Sequence, residues 1–301
     1  MSSTMNSFTL MAPAKINLLL GVSQTIVEGK HQLSSIFSTI SLSDQLVFSY
    51  DPNRDRQITI DLVNAPEIAP LSVSTEQNIV YKAVIALEQA LNKQLEGHLT
   101  ITMEKRIPHE AGLGGGSSDA AATLIALRKI WGIESFKYDA PVQMAAQSLG
   151  ADVPFFLQGG CALMGGYGDR LIQILPQPHL DLVLVKPEAG VSTAKAYAQF
   201  DADPLPAPPT DRLVSMLVAQ ESTIPLLTSQ FANNLSKAAC ALLPELATLQ
   251  HELATQEGVY KAMVSGSGSA VFGVCANEDV ARQVAASFKE SGYWAVAATT
   301  A

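Results

Sequence analysis

Two spacings of apolar residues run through the chain. In NIVYKAVIALEQALNKQ, residues Ile79, Val80, Ala83, Val84, Leu87 and Leu91 recur at helical intervals, which predicts an amphipathic helix. Directly after it, Leu99, Ile101 and Met103 of HLTITMEKRIP alternate with polar neighbours, which predicts a strand. SIFSTISLSDQLVFSYD and RQITIDLV alternate in part and read as further strands, and FTLMAPAKINLLLGVS as two short strands interrupted by Ala12, Pro13 and Ala14. DAAATLIALRKIW and APVQMAAQSLG read as helices, the second ending at Gly150, and CALMGGYGDRLIQIL as a hairpin.

LDLVLVKP, from Leu180, is apolar without alternation and reads as a buried strand that opens a second half. The proline-dense FDADPLPAPPTD is a surface connection. Beyond it, helical runs (ALLPELATLQHEL, DVARQVAASFKES) mix with strand runs (YKAMVSG, SAVFGVCA, YWAVAATT). Strands and helices mix without a regular βαβ repeat, so the expected class is α+β. The expected domains are residues 1–178 and 179–301.

Composition narrows the function more than the fold. At 301 residues, with 48% hydrophobic and 16% charged positions, the chain is of the compact globular type. A net charge of −9 argues against a nucleic-acid binder, which needs a basic face. Cys161, Cys240 and Cys275 are odd in number and far apart, with neither metal nor disulfide spacing, which suits a reducing compartment. No apolar run nears the ~20 residues of a membrane span, and the N-terminus lacks a basic leader, so a cytoplasmic location is expected.

The richest chemistry lies in PHEAGLGGGSSDAAA. Four glycines (Gly112, Gly114, Gly115, Gly116) precede a helix, with Ser117 or Ser118 as the expected N-cap. Glycines there let a phosphate approach backbone N–H groups, and a helix N-terminus attracts an anion. The serine hydroxyls suit a phosphate oxygen or a magnesium ion. No G-x-x-x-x-G-K-[ST] is present, so this is not a P-loop. In SGSGSAVFG, the third glycine of a dinucleotide fingerprint would fall on Val271, which excludes that reading as well.

PHEAGLGGGSSDAAA resembles the second motif of the GHMP kinases, which wraps the phosphates of ATP without a P-loop lysine. APAKINLLLGV resembles the first motif of that family and MVSGSGSAVFGV the third. GADVPFFLQGG resembles an element of one branch, whose acceptor is a cytidine diphosphate-linked methylerythritol. The matches run in order from residue 12 to about 275. The resemblance implies a two-domain fold, with an N-terminal ribosomal-protein-like ATP-binding domain, a C-terminal ferredoxin-like domain and a cleft between them for the site. It also implies ATP-dependent phosphorylation of the acceptor's 2-hydroxyl, a step of non-mevalonate isoprenoid biosynthesis, with Mg²⁺ on the ATP phosphates near Ser117 or Ser118. A small-molecule partner, no nucleic acid, no membrane and a monomer or weak homodimer complete the expectation. Homoserine- or mevalonate-type kinases, or a non-catalytic nucleotide-binding relative, are the alternatives.

Residue roles follow from the same match. Alone, Asp152 would suit a helix cap and Lys15 a snorkelling strand lysine. The resemblance makes Asp152 the base that takes the acceptor's proton, and places Lys15 and Asn17, on one strand face, beside the acceptor. It assigns Lys105, Pro108, Gly112, Leu113, Gly114, Gly115, Gly116, Ser117 and Ser118 to ATP, with Arg106 a weaker candidate than Lys105. Gly190, Thr193, Gly266 and Ser267 would line the substrate side and Tyr197 would face the base. In VEGKHQLSSIF, His31 stands where the branch has its base-contacting histidine, but Lys30 replaces a stacking tyrosine, and Ile26 and Glu28 replace an arginine and an aspartate. In FANNLSKAA, Asn233 is kept while Asn234 and Ser236 replace acids, which reads as structural.

Overall fold

A computed structural model describes residues 6–70, 73–133 and 139–301. The chain forms two compact units. The first holds residues up to Ala14, then Ser43–Pro108 and Gly114–Gln158; the second holds Lys15–Leu42, His109–Leu113 and Gly159–Ala301. These units interleave along the chain, where the sequence-based expectation is a single boundary at residue 178. The cause lies in two 22-residue strands, β1 (Asn6–Val27) and β2 (Lys30–Asp51), which each contribute to both units.

The first unit adds β3 (Gln57–Asn64), α1 (Ile79–Leu91), β4 (His98–Lys105), α2 (Gly115–Trp131), α3 (Ala140–Leu149) and α4 (Val153–Gln158). Strand β4 runs parallel to β3 and antiparallel to residues 45–51 of β2, pairing Phe48 with Ile101. Its alternation is realised: Leu99, Ile101 and Met103 are buried, and so is Lys105, the next residue in that phase. Helix α1 buries Val80, Ala83, Val84 and Leu87, starts on Asn78, whose side chain accepts from Val80 N at 2.9 Å, and ends on left-handed Asn92. Helix α2 buries Ala120, Ala121 and Ala122, small side chains that permit close packing.

The second unit holds β5 (Cys161–Gly165), β6 (Arg170–Leu175), β7 (Asp181–Lys186), α5 (Thr193–Ala202), α6 (Asp211–Ala219), α7 (Ile224–Thr228), β8 (Ala232–Asn233), α8 (Ser236–Leu242), α9 (Glu245–Ala254), β9 (Val259–Val264), β10 (Val271–Cys275), α10 (Glu278–Glu290) and β11 (Trp294–Thr299). Strands β11–β7–β10–β9 form an antiparallel sheet. Val183 and Val185 of β7 join Phe200, Leu249, Leu253 and Phe288 in one core, while Leu182 and Leu184 are equally buried. Burial of both phases is why LDLVLVKP shows no alternation. The hairpin β5–β6 pairs through β5 with residues 35–38 of β2.

The predicted break at Pro13 is absent, and β1 runs on through it. A proline is tolerated in a strand where no ladder bond needs its N–H. Strand β8 pairs with β1 only at Leu19 and Leu20, so among the described residues it does not flank Pro13. No helix among the described residues is long and apolar enough to cross a membrane.

Candidate active site

In the first unit, the glycine segment turns into α2 at Gly114, which is the N-cap with φ +73°; Ser117 and Ser118, expected as caps, lie within the first helical turn. The cap is a backbone one because a left-handed glycine leaves the turn's N–H groups open to an outside acceptor. Ser118 N donates to Gly114 O at 2.9 Å, while its Oγ is buried and has no hydrogen-bond partner. A Cβ at Gly115 would lie 2.9 Å from Ile107 Cγ2, so packing demands glycine there. At Gly116 a Cβ would meet only Ile79 Cγ2, at 3.9 Å, so the protein's own packing does not. Pro108 closes the segment that leads in from β4, half-buried.

Asp152 occupies the turn between α3 and α4, one residue before Val153, and its carbonyl accepts from Phe156 N at 3.4 Å. The buried run Val153, Pro154, Phe155, Phe156 and Leu157 anchors α4 and so fixes the aspartate at its start. Gly150, in the same turn, would place a Cβ 3.6 Å from Ser117 Oγ, which brings this turn beside the phosphate-type loop.

Lys105, expected at the ATP phosphates, lies at the end of β4 between two acidic side chains. Only 2% exposed, its ammonium is ion-paired with both Asp44 and Asp119, the latter at 2.5 Å. Burial opposes the charge on Lys105, but the two carboxylates outweigh it and its pKa is raised. Burial likewise pushes the Asp119 carboxyl up to about 7, with Lys105 opposing and Asp44 reinforcing the rise.

In the second unit, Lys15 Nζ donates to Asn17 Oδ1 at 2.8 Å, and Asn17 Nδ2 donates to Ser35 Oγ at 2.9 Å, all three residues buried. The Lys15 ammonium also lies 4.9 Å from the Phe37 ring centroid. Lys15 N donates to Leu113 O at 2.9 Å, which joins the first motif to the second. The third motif closes on both: a Cβ at Gly266 would lie 3.4 Å from Lys15 Nζ and from Asn17 Oδ1, and one at Gly112 only 2.0 Å from Ser265 O. Ser265 Oγ donates to Gly112 O at 3.1 Å and Ala270 N to Ala111 O at 3.0 Å. Thr193 and Ser267 share a hydroxyl hydrogen bond of 2.9 Å. Gly190 has no room for a side chain, since its Cβ would lie 2.7 Å from Glu110 Cβ.

His31 stacks on Tyr197 with centroids 5.6 Å apart and meets Phe200 edge-on. Its Nδ1 faces Ser23 O at 2.7 Å and its Nε2 faces Asp201 Oδ1 at 2.9 Å. Tyr197, Phe200 and Asp201 occupy one face of α5, at i, i+3 and i+4. Lys30 parts company with His31, since successive strand residues point to opposite faces. Its ammonium lies 4.8 Å over the Tyr167 ring, whose hydroxyl donates to Glu28 Oε2 at 3.2 Å.

The sequence reading did not single out Asp44, Asp119, Ser35, Glu110 or Tyr167. Asp44 and Ser35 lie in ordinary strand text and carry no motif signal. For Lys105, the inward phase of Leu99, Ile101 and Met103 was a signal that it points into the protein. Asn233, read as structural, donates to Val264 O at 2.9 Å and Gly266 O at 2.8 Å, so it supports the third motif directly.

The family model of the GHMP kinases N terminal domain matches residues 78–160, and that of the GHMP kinases C terminal matches residues 224–293. A 4-diphosphocytidyl-2-C-methyl-D-erythritol kinase of Moorella thermoacetica is 38% identical over 293 residues, covering 95% of this chain and 96% of the relative. The Bacillus subtilis protein of that name is 30% identical, covering 91% and 90%. A crystal structure of a 4-(cytidine 5'-diphospho)-2C-methyl-D-erythritol kinase superposes with a TM-score of 0.77 at 32% identity, covering 97% of this chain and 98% of the other. A mevalonate kinase of L. major, at 17% identity and a TM-score of 0.72, shares the fold. With all three sequence motifs drawn together as above, the chain belongs to the 4-diphosphocytidyl-2-C-methyl-D-erythritol kinase family of GHMP kinases.

Proposed function

We infer that the protein transfers the γ-phosphoryl group of ATP to the 2-hydroxyl of 4-diphosphocytidyl-2-C-methyl-D-erythritol, a step of non-mevalonate isoprenoid biosynthesis in the cytoplasm. The observation that carries the ATP half is the start of α2. Gly116 leaves space that the protein's packing does not use, and Ser118 presents a buried hydroxyl with no partner. Both suit residues 112–118 as a cradle of N–H groups around phosphate. The Ser117 and Ser118 hydroxyls fit a hard cation, and Mg²⁺ there would neutralise charge on the phosphates.

At the acceptor, Asp152 receives the hydroxyl proton as the oxygen attacks the γ-phosphorus and the bond to ADP breaks. Lys15, held by Asn17, offsets the alkoxide charge that builds up on the attacking oxygen. Gly190, Thr193, Gly266 and Ser267 bind the middle of the substrate, where the Thr193 and Ser267 hydroxyls share a hydrogen bond. His31 and Tyr197 bind the cytosine. Tyr167 supplies the aromatic ring at the turn where Lys30 does not, with the Lys30 ammonium beside the substrate diphosphate.

The test is ADP release with a panel of alcohols. Turnover is expected with 4-diphosphocytidyl-2-C-methyl-D-erythritol, and Asp152→Asn should reduce kcat by ~10²-fold or more. The replaced turn residues Ile26, Glu28 and Lys30 favour a second reading, a different small alcohol as acceptor. Turnover of homoserine or mevalonate alone would establish that reading instead, and nucleotide binding without ADP release from any alcohol would make the protein a non-catalytic relative.

A further inference from the structure

We propose that Asp44 and Asp119 are positioning residues for the phosphate loop, acting through the Lys105 ammonium that ties the strand entering the loop to the helix leaving it. The proposal rests on the ATP-binding reading of residues 112–118.

Lys105 is the last residue of β4 and Asp119 lies in the first turns of α2, fourteen positions on. One ammonium bonded to Asp119 Oδ2 at 2.5 Å therefore closes the segment that contains the whole glycine loop. Asp44 holds the other end. It is fully buried in β2, one residue before Gln45, which pairs with Glu104. Its Oδ2 meets Lys105 Nζ, while its Oδ1 accepts from Arg106 N at 2.6 Å and from Ile107 N at 2.9 Å. The backbone is thus fixed in direction as it leaves the strand. The helix start then rests on this device: a Cβ at Gly115 would lie 3.5 Å from Asp44 Oδ2 as well as against Ile107.

Stability alone does not account for the arrangement. Three buried ionic groups carry a desolvation penalty that well-packed apolar side chains would avoid. Asp119 Oδ1 is, in addition, buried without a hydrogen-bond partner. What charged, directional contacts provide that apolar ones do not is a fixed geometry. A cradle of N–H groups requires that geometry, because a misplacement of about 1 Å near the reacting phosphate costs roughly 10²-fold in rate. Lys105 then serves ATP through the shape of the loop and not by touching a phosphate.

The experiment combines calorimetric titration with MgATP, steady-state KM for each substrate and thermal melts for wild type, Asp119→Ala, Asp119→Asn and Asp44→Asn. Asp119→Ala should raise the Kd and KM for MgATP by about tenfold or more while leaving the KM of the acceptor alcohol within about twofold. Asp119→Asn keeps an oxygen for the Lys105 ammonium and should recover most of that loss. Asp44→Asn, which keeps the acceptor for Arg106 N and Ile107 N, should give a smaller rise confined to ATP. If Asp119→Ala does not fold, the Asp44→Asn selectivity for ATP decides. Folded variants that bind MgATP as wild type does, or that weaken both substrates equally, overturn the proposal. Wild type failing to bind MgATP overturns the loop reading and the proposal together, and so separates the two failures.

Discussion

At Gly116 the protein leaves room that it does not itself fill. A glycine inside a helix costs roughly 0.5–1 kcal/mol relative to alanine. Gly116→Ala meets only an ordinary contact with Ile79. The variant should therefore gain about 0.5–1 kcal/mol of stability, read as a higher Tm, while losing affinity for MgATP. A variant that keeps native ATP kinetics would show that no ligand uses this space. Its neighbour behaves differently: Gly115→Ala drives a methyl into Ile107 and should destabilise the protein before any ligand arrives. The sequence made the four glycines conspicuous but could not say which served packing and which served a ligand, because that depends on Ile107 and Ile79, residues outside the motif. The ion pairs of Lys105 were hidden for a related reason. Its charge suggested a phosphate contact, but its compensating acids come from β2 and α2, which local text does not connect to it.

At the scale of elements, three loops are sewn to one another by backbone bonds more than by side chains. Asn233 adds side-chain bonds to these, as Ser265 does to Gly112 O. It donates to two carbonyls of the third motif, and its Oδ1 accepts from Leu235 N at 2.9 Å. Asn233→Ala leaves those carbonyls and that N–H without their partner, at a cost of ~1–3 kcal/mol. Because Gly266 sits against Lys15 and Asn17, the damage should appear in kcat and in the KM of the acceptor, with the Kd for MgATP little changed. Steady-state kinetics against a calorimetric ATP titration checks this, and a selective loss of ATP affinity would count against it. Periodicity located elements such as α1, β4 and α10, each of which buries one regular face, but not the short helices α4, α6, α7 and α8 or the two-residue β8. It failed at Pro13, where the outcome depended on which strand lay alongside.

For the whole molecule, the α+β class was readable because it needs only the order and type of elements. The interleaving of the two compact units was not, because long strands serving both look like any others in sequence. Cys161, Cys240 and Cys275 are free thiols. Burial pushes the thiols of Cys161 and Cys275 up to about 12, so neither supplies much thiolate at neutral pH. A thiol reagent should modify at most Cys240 in the native protein and all three residues after denaturation; rapid native reaction at Cys161 would contradict this burial.

The chain passes between its two units five times, at residues 14/15, 42/43, 108/109, 113/114 and 158/159. Neither unit can therefore be made on a ribosome before the other has begun. Leu19 must wait for Ala232 before β1 gains its parallel neighbour β8, a pairing that loop-closure entropy makes slow to form. Expression of residues 1–178 or 179–301 alone should give insoluble or unfolded fragments, and thermal unfolding of the full chain should show one transition where separable domains would show two. A truncating mutation late in the gene would in that case abolish the phosphate loop as surely as one within it.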